Sequence, residues 1–383
     1  MLAIWGFMAA MNLSAAIVIA SWAERQNDLD TMRRWGHEWL IDGLNIYVTD
    51  RDFTDYPPHS IVMLSPLAAV PAHWAVPVWA AINFGLALIV PYLAIRAARP
   101  DVSFSKAGIL VLMFLCWGGF RALLQFSLVS LTFGLLSMVL VEKRPIWGGI
   151  CLGLALMKPQ MSLPFLLWAV FNRRTRAIGA AAGAIGVGFA LFCLRAGASP
   201  VQVVVRYAGI LRHFNMGNAI MIGLAQLRPL IALFTSNVTS VDAISISVAL
   251  VMLAVICIVG FAERTQNQTA LYAAPALAGL WSLLTFYHLT YGFLVLLPLA
   301  ALLILEDHPE TVRFRQIVFW VLQLGLMADL PGLWRWFGYL VPAPASTGDV
   351  LIHFDRVFML VLFGCVLTLA LRRLKSPVRQ IRL

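Results

Sequence analysis

The sequence predicts an all-α polytopic membrane protein: one bundle of about twelve spanning or re-entrant helices, with surface helices on its outer face. Three observations predict it. Of the 383 residues, 61% are hydrophobic and only 12% charged, whereas a soluble domain has about 45–50% apolar and about 25% charged residues. The apolar residues gather in runs close to the roughly 20 that a spanning helix needs. The charged residues fall between the runs and sort by sign between two faces.

In order, the runs cover residues 3–21, 76–97, 105–120, 126–141, 146–157, 161–172, 178–195, 241–262, 270–286, 289–305, 314–330 and 354–372. The first has neither a basic start nor an A-x-A site, so it reads as a retained span rather than a cleaved signal peptide. Alternate connections carry Arg96, Arg99 and Lys106; Lys143 and Arg144; Arg173, Arg174 and Arg176; Arg264; then Arg313 and Arg315. The tail adds Arg372, Arg373, Lys375, Arg379 and Arg382. This face holds 16 of the 28 basic residues and 6 of the 18 acidic ones, so the whole net charge of +10 lies on it. That bias marks the cytoplasmic side and puts both termini there. It is a topology signal and not a nucleic-acid footprint.

The opposite, outer face carries three long segments, residues 22–75, 196–240 and 331–353, all within a single domain spanning 1–383. In the first, "DLDTMRRWGHEWLID" repeats Leu29, Met32, Trp35, Trp39 and Leu40 at helical spacing, the pattern of a helix lying on the membrane surface. The five cysteines sit in apolar stretches with no metal-binding spacing and read as small buried hydrophobes.

The polar residues that need an explanation lie on that outer face. "LALMKPQMSLP" sets Lys158 in a tight turn, because Pro159 ends the preceding helix. Two readings fit it: a lysine snorkelling at a helix end, or a compact cation aimed at an anionic group at the membrane surface. Asp28 and Asp30 open the surface helix, where they fit either a helix cap or a general base. Tyr56, Pro57, Pro58 and His59 form an extended entry to an apolar helix. Arg121, Gln125, His213, Asn218, Tyr287 and His288 map to the same face. Mid-span positions carry almost no ionisable residues, which counts against an ion-coupled carrier.

With these residues on the page, the sequence resembles glycosyltransferase family 87. "GLNIYVTDRDFTDYPP" is similar to the family's G-x-x-x-Y…YPP signature. The stretch from Gln125 to the Lys-Pro-Gln of residues 158–160 is similar to a second family segment, "GNAIMIGL" to a third, and "YHLTYGFLVLLPL" to a fourth. The chain departs from the pattern at Gly292, where many members carry aspartate, and in "GNAI", which lacks the usual serine.

The resemblance implies a GT-C membrane fold in a bacterial-type inner membrane, with the active site on the outer face. It implies transfer of a sugar, mannose above all, from a polyprenyl-phosphate donor to a hydroxyl of a lipid or polysaccharide acceptor, with inversion. Lys158 is then expected to stabilise the donor phosphate, with His288, Arg121 and His59. Asp28, or alternatively Asp30, is expected to be the base; Asp28 matches better because Leu29 follows it. Tyr47, Tyr56, Gln125, Gln160, Asn218 and Tyr287 are expected to contact substrate. No cofactor is required, and Asp50, Asp52 and Asp55 leave a divalent metal open. The expected partners are the lipid-linked sugar, the acceptor and membrane lipids, with no nucleic acid. Two rival readings are a flippase for lipid-linked sugars and a non-catalytic scaffold.

Overall fold

A computed structural model of the protein describes residues 2–20, 27–48, 54–217, 226–235, 237–265, 273–286, 288, 290–305, 311–328 and 354–375. Among them every regular element is a helix. The first half comprises α1 (Leu2–Ala20), α2 (Asn27–Leu40), α3 (Pro58–Leu64), α4 (Ala72–Ala98), α5 (Phe104–Leu115), α6 (Ser127–Leu140), α7 (Pro145–Ala155) and α8 (Pro159–Phe171). The second comprises α9 (Thr175–Ala196), α10 (Pro200–Gly217), α11 (Arg228–Ile231), α12 (Val238–Thr265), α13 (Ala273–Thr285), α14 (Leu297–Leu305), α15 (Val312–Ala328) and α16 (Phe354–Lys375).

Each apolar run read from the sequence coincides with a helix, but among the described residues only five helices are long and apolar enough to cross a bilayer: α1, α4, α9, α12 and α16. Several of the others, α5 and α14 above all, are shorter than the sequence runs promised, for local reasons. The run through 120 stops at Cys116, and residues Gly118–Arg121 form a 3₁₀ turn around two glycines. Pro159 splits α7 from α8, and a 3₁₀ stretch, Thr290–Leu296, precedes α14. Bundle geometry beyond these five spans is therefore an assembly of short helices.

One packing contact fixes the position of α7. Gly149 and Gly153, one turn apart, meet Ala177 and Ala181 on α9 with the same spacing. A Cβ on Gly149 would lie 2.3 Å from the Ala177 carbonyl oxygen, and one on Gly153 would lie 2.8 Å from that of Ala181. Small residues four apart let two helix backbones touch, and in lipid that close approach is the main source of helix–helix attraction. Gly149→Val is expected to force the helices apart, at a loss of at least about 1–3 kcal/mol. A lower melting temperature in detergent, with transfer lost in parallel, checks this.

The polar ends also pair as the charge pattern requires. Arg174 forms an ion pair with Glu142, Arg99 donates to the Leu305 carbonyl at 3.0 Å, and Arg373 lies 3.9 Å from Glu263. All six positions belong to the basic face. The surface helix, however, differs from expectation. Its apolar residues Leu29, Met32, Trp35 and Trp39 are buried. They pack on the protein, against α3 and the 3₁₀ turn Ser65–Ala69, and not on open lipid. Its amphipathic pattern is satisfied by the bundle's own apolar shoulder.

Candidate active site

The α7–α8 break is a built feature. A chain that leaves helical geometry among apolar helices must satisfy its freed carbonyls internally. Four serines do so here. Ser130 of α6 donates to the Ala155 carbonyl at 2.8 Å and Ser60 of α3 to that of Met157 at 3.0 Å. Ser162 of α8 donates to the Lys158 carbonyl at 3.0 Å, and Ser282 of α13 to that of Gln160. The turn is thereby tied to four helices. Pro159 sits in the first turn of α8, where its missing N–H is no loss.

The side chain of Lys158 is held as firmly. Nζ donates to Ser127 Oγ at 3.0 Å and stands 4.7 Å from the Tyr291 ring centroid and 5.9 Å from that of Tyr56. The residue is 5% exposed, so it does not snorkel to the surface. The expectation of a charge pointing outward from a helix end is corrected: the ammonium points inward, toward a cavity. Its partners are a hydroxyl and two ring faces, and it forms no ion pair with a described carboxylate. Ring quadrupoles attract a cation without neutralising it, so the positive charge stays available to an anion.

That cavity has a volume of about 250 Å³, against about 30 Å³ for one water in the liquid. Asp28, Thr31, Met32 and Trp35 of α2 form one wall at one-turn spacing. Asp55, Tyr56, Gln125, Lys158, Gln160, His288 and Tyr291 complete the lining. Gln125 Nε2 donates to Asp28 Oδ2, which fixes the carboxylate toward the cavity. The Gln125 turn is itself held by Trp79, whose Nε1 donates to the Leu124 carbonyl at 3.2 Å. Since Ser282 donates its hydroxyl proton to Gln160, it accepts from His288 Nε2 at 3.2 Å. Burial and the neighbouring Lys158 charge push the His288 pKa down, so its imidazole is neutral. Gly292 leaves room for that ring, because a Cβ there would come within 2.5 Å of Nδ1.

The structure thus brings together Asp28, Tyr56, Gln125, Lys158, Gln160 and His288 of the residues singled out in the sequence. Four others lie elsewhere. Asp30 is two residues on, so it points away from the cavity, 57% exposed and 3.7 Å from Arg33. Arg121 is turned to α1, where its Nε donates to Asn12 Oδ1 at 2.7 Å. His59 packs under Gly188 of α9, at a distance that leaves no space for a Cβ there. Tyr47 does not line the cavity; its hydroxyl donates to the Tyr56 carbonyl at 2.7 Å, which makes it a positioning residue. Asn218 and Tyr287, like Asp50 and Asp52, lie outside the described residues. Thr31, Asp55, Ser127 and Tyr291 were not singled out as site residues. Asp55 and Tyr291 stand inside the quoted motifs, beside Tyr56 and one turn from His288, and that adjacency was the available signal.

Residues 53–286 match the family model of Glycosyltransferase family 87, and that segment holds Asp55, Tyr56, Gln125, Lys158 and Gln160 of the cavity wall. The chain belongs to glycosyltransferase family 87. With its apolar helices it is a membrane glycosyltransferase, and the flippase and scaffold readings give way. Comparison with curated proteins and with solved structures gives no match. In this family 87 chain the matched segment begins just before the Asp55–Tyr56 wall and ends at Phe286, just short of His288.

Proposed function

We propose that the protein transfers a sugar, mannose in the first instance, from a polyprenyl-phosphate donor to a hydroxyl of a lipid or polysaccharide acceptor. The observation that carries this reading is a buried ammonium that forms no ion pair with a described carboxylate and lines a cavity shared with Asp28. Lys158 holds the donor phosphate, and His288 lines the cavity beside it as a neutral imidazole whose one N–H is taken by Ser282. Negative charge grows on that phosphate as the glycosidic bond breaks, so a preplaced cation in a water-poor site lowers the barrier. Asp28 removes the proton of the attacking hydroxyl. Attack on the side of the anomeric carbon opposite the phosphate inverts its configuration. Trp35 and Tyr56 offer flat apolar faces to a sugar ring or an isoprene unit.

The basic loops face the cytoplasm in this reading, and the cavity opens on the other side of a bacterial-type inner membrane. No metal is assigned a role. The test is transfer by purified protein from radiolabelled polyprenyl-phosphate mannose, with polyprenyl-phosphate glucose and GDP-mannose as alternatives. The expected result is an acceptor-dependent product from a prenyl-phosphate sugar and none from the nucleotide sugar. Transfer from the nucleotide sugar alone overturns the reading.

A further inference from the structure

The cavity contains a second carboxylate that the reaction described so far does not use. Asp55 lies in its wall, half-buried, near enough to Lys158 for the two charges to interact. Its backbone is clamped by two tyrosines. Tyr207 of α10 donates its hydroxyl to the Asp55 carbonyl at 3.3 Å, and Tyr47 donates to the next carbonyl, that of Tyr56, at 2.7 Å. The two tyrosine rings pack edge to face, with centroids 5.6 Å apart. Bonds at two successive carbonyls hold this stretch of backbone against the cavity, which keeps the Asp55 side chain within its wall.

We propose that Asp55 is the general acid of the transfer, giving its carboxyl proton to the phosphate oxygen that leaves the anomeric carbon. The inference rests on the prenyl-phosphate reading above. The acceptor O–H proton passes to the Asp28 carboxylate, and the acceptor oxygen bonds to the anomeric carbon. The bond from that carbon to the phosphate oxygen breaks, and its electron pair stays on the phosphate. The Asp55 proton moves to that phosphate, which leaves as a monoanion, and Asp55 is left as a carboxylate near Lys158. One proton is taken up at Asp28 and one is released at Asp55, so the enzyme's total is unchanged. Exchange with solvent after product release resets both.

The surroundings favour this division of labour. Burial pushes the Asp55 pKa up to about 6, against the opposing pull of Lys158. The titratable groups that face it are Lys158 from the α7–α8 turn, Asp28 from α2, Tyr47 and Tyr56 from its own loop, and Tyr207 from α10. His288 faces Lys158 rather than Asp55. A donor phosphate adds a negative charge and occupies Lys158, and both changes raise the Asp55 value further. The acid then comes close to a phosphate monoester, whose second pKa is about 6, a match that suits proton transfer. The two carboxylates of the cavity differ in setting: Asp28 is hydrogen-bonded to Gln125 and open, and Asp55 is set back in the wall.

The experiment compares two donors: a polyprenyl-phosphate sugar, and the same sugar on a prenyl phosphate fluorinated beside the phosphate, which leaves without needing a proton. Asp55→Asn is expected to lower kcat about 10²–10⁴-fold on the first donor and less than about tenfold on the second. Asp28→Asn is expected to be slow on both. Equal losses for Asp55→Asn on both donors overturn the proposal. Should Asp55→Asn misfold, the wild-type pH profile decides. Its kcat is expected to fall as pH rises through the donor-bound Asp55 value on the first donor, and to stay level on the second. Identical profiles overturn the proposal. A wild type inactive with every prenyl-phosphate sugar overturns the underlying reaction instead, and this step with it.

Discussion

Lys158→Met is expected to abolish sugar transfer while leaving the protein as stable as the wild type, or more so. The ammonium is 5% exposed and rests on one hydroxyl and two ring faces. A buried charge without an ion-pair partner is a liability for folding, and an apolar side chain of similar shape removes that liability. Its retention therefore belongs to function. Loss of the charge opposite a leaving phosphate is expected to lower kcat about 10²–10³-fold or more. Lys158→Arg is expected to rescue little. A planar guanidinium cannot enter the space between Ser127 and the Tyr56 and Tyr291 rings as a compact ammonium does. Melting temperature and transfer measured on the same detergent-purified samples check the pair. A Lys158→Met variant that is less stable yet active refutes the assignment.

Asp28→Asn is expected to remove the base while preserving the wall. The amide oxygen can still accept from Gln125, so α2 keeps its place. The helix loses one N-terminal carboxylate, worth about 0.3–1 kcal/mol at such a position. The expected kinetic result is a fall in kcat of about 10²–10⁴-fold with KM for the donor nearly constant. Asp30→Asn is the matched control, because Asp30 is 57% exposed and faces Arg33. It is expected to stay close to wild type. The reverse pattern, with Asp30→Asn inactive and Asp28→Asn active, would move the base to the other carboxylate.

The sequence carried the helices through hydropathy, and it carried Lys158 through the proline beside it, because both signals are local. It left Asp28 and Asp30 as alternatives, and only the fold separates them, with Asp28 lining the cavity and Asp30 beside Arg33. What it hid depends on tertiary contact. Arg121 and His59 look like site residues from their place near helix ends, yet Asn12 and Gly188 claim them. The serines that hold the 155–160 turn are ordinary residues inside apolar runs, and nothing in their spacing links Ser60, Ser130, Ser162 and Ser282. The Gly149/Gly153 seam was equally silent until α9 was found against it. Asp55 stood among several loop acids, and its place in the cavity wall depends on the tertiary fold.

The ring-and-hydroxyl seat of Lys158 has one further consequence, for the medium in which the enzyme works. A basic patch on an open surface loses its hold on anions as ions accumulate, over a Debye length of about 8 Å at physiological strength. An ammonium enclosed by aromatic faces is out of reach of that atmosphere. Under the proposed prenyl-phosphate reading, turnover is expected to persist in brines that would strip a lipid phosphate from a surface cluster of arginines.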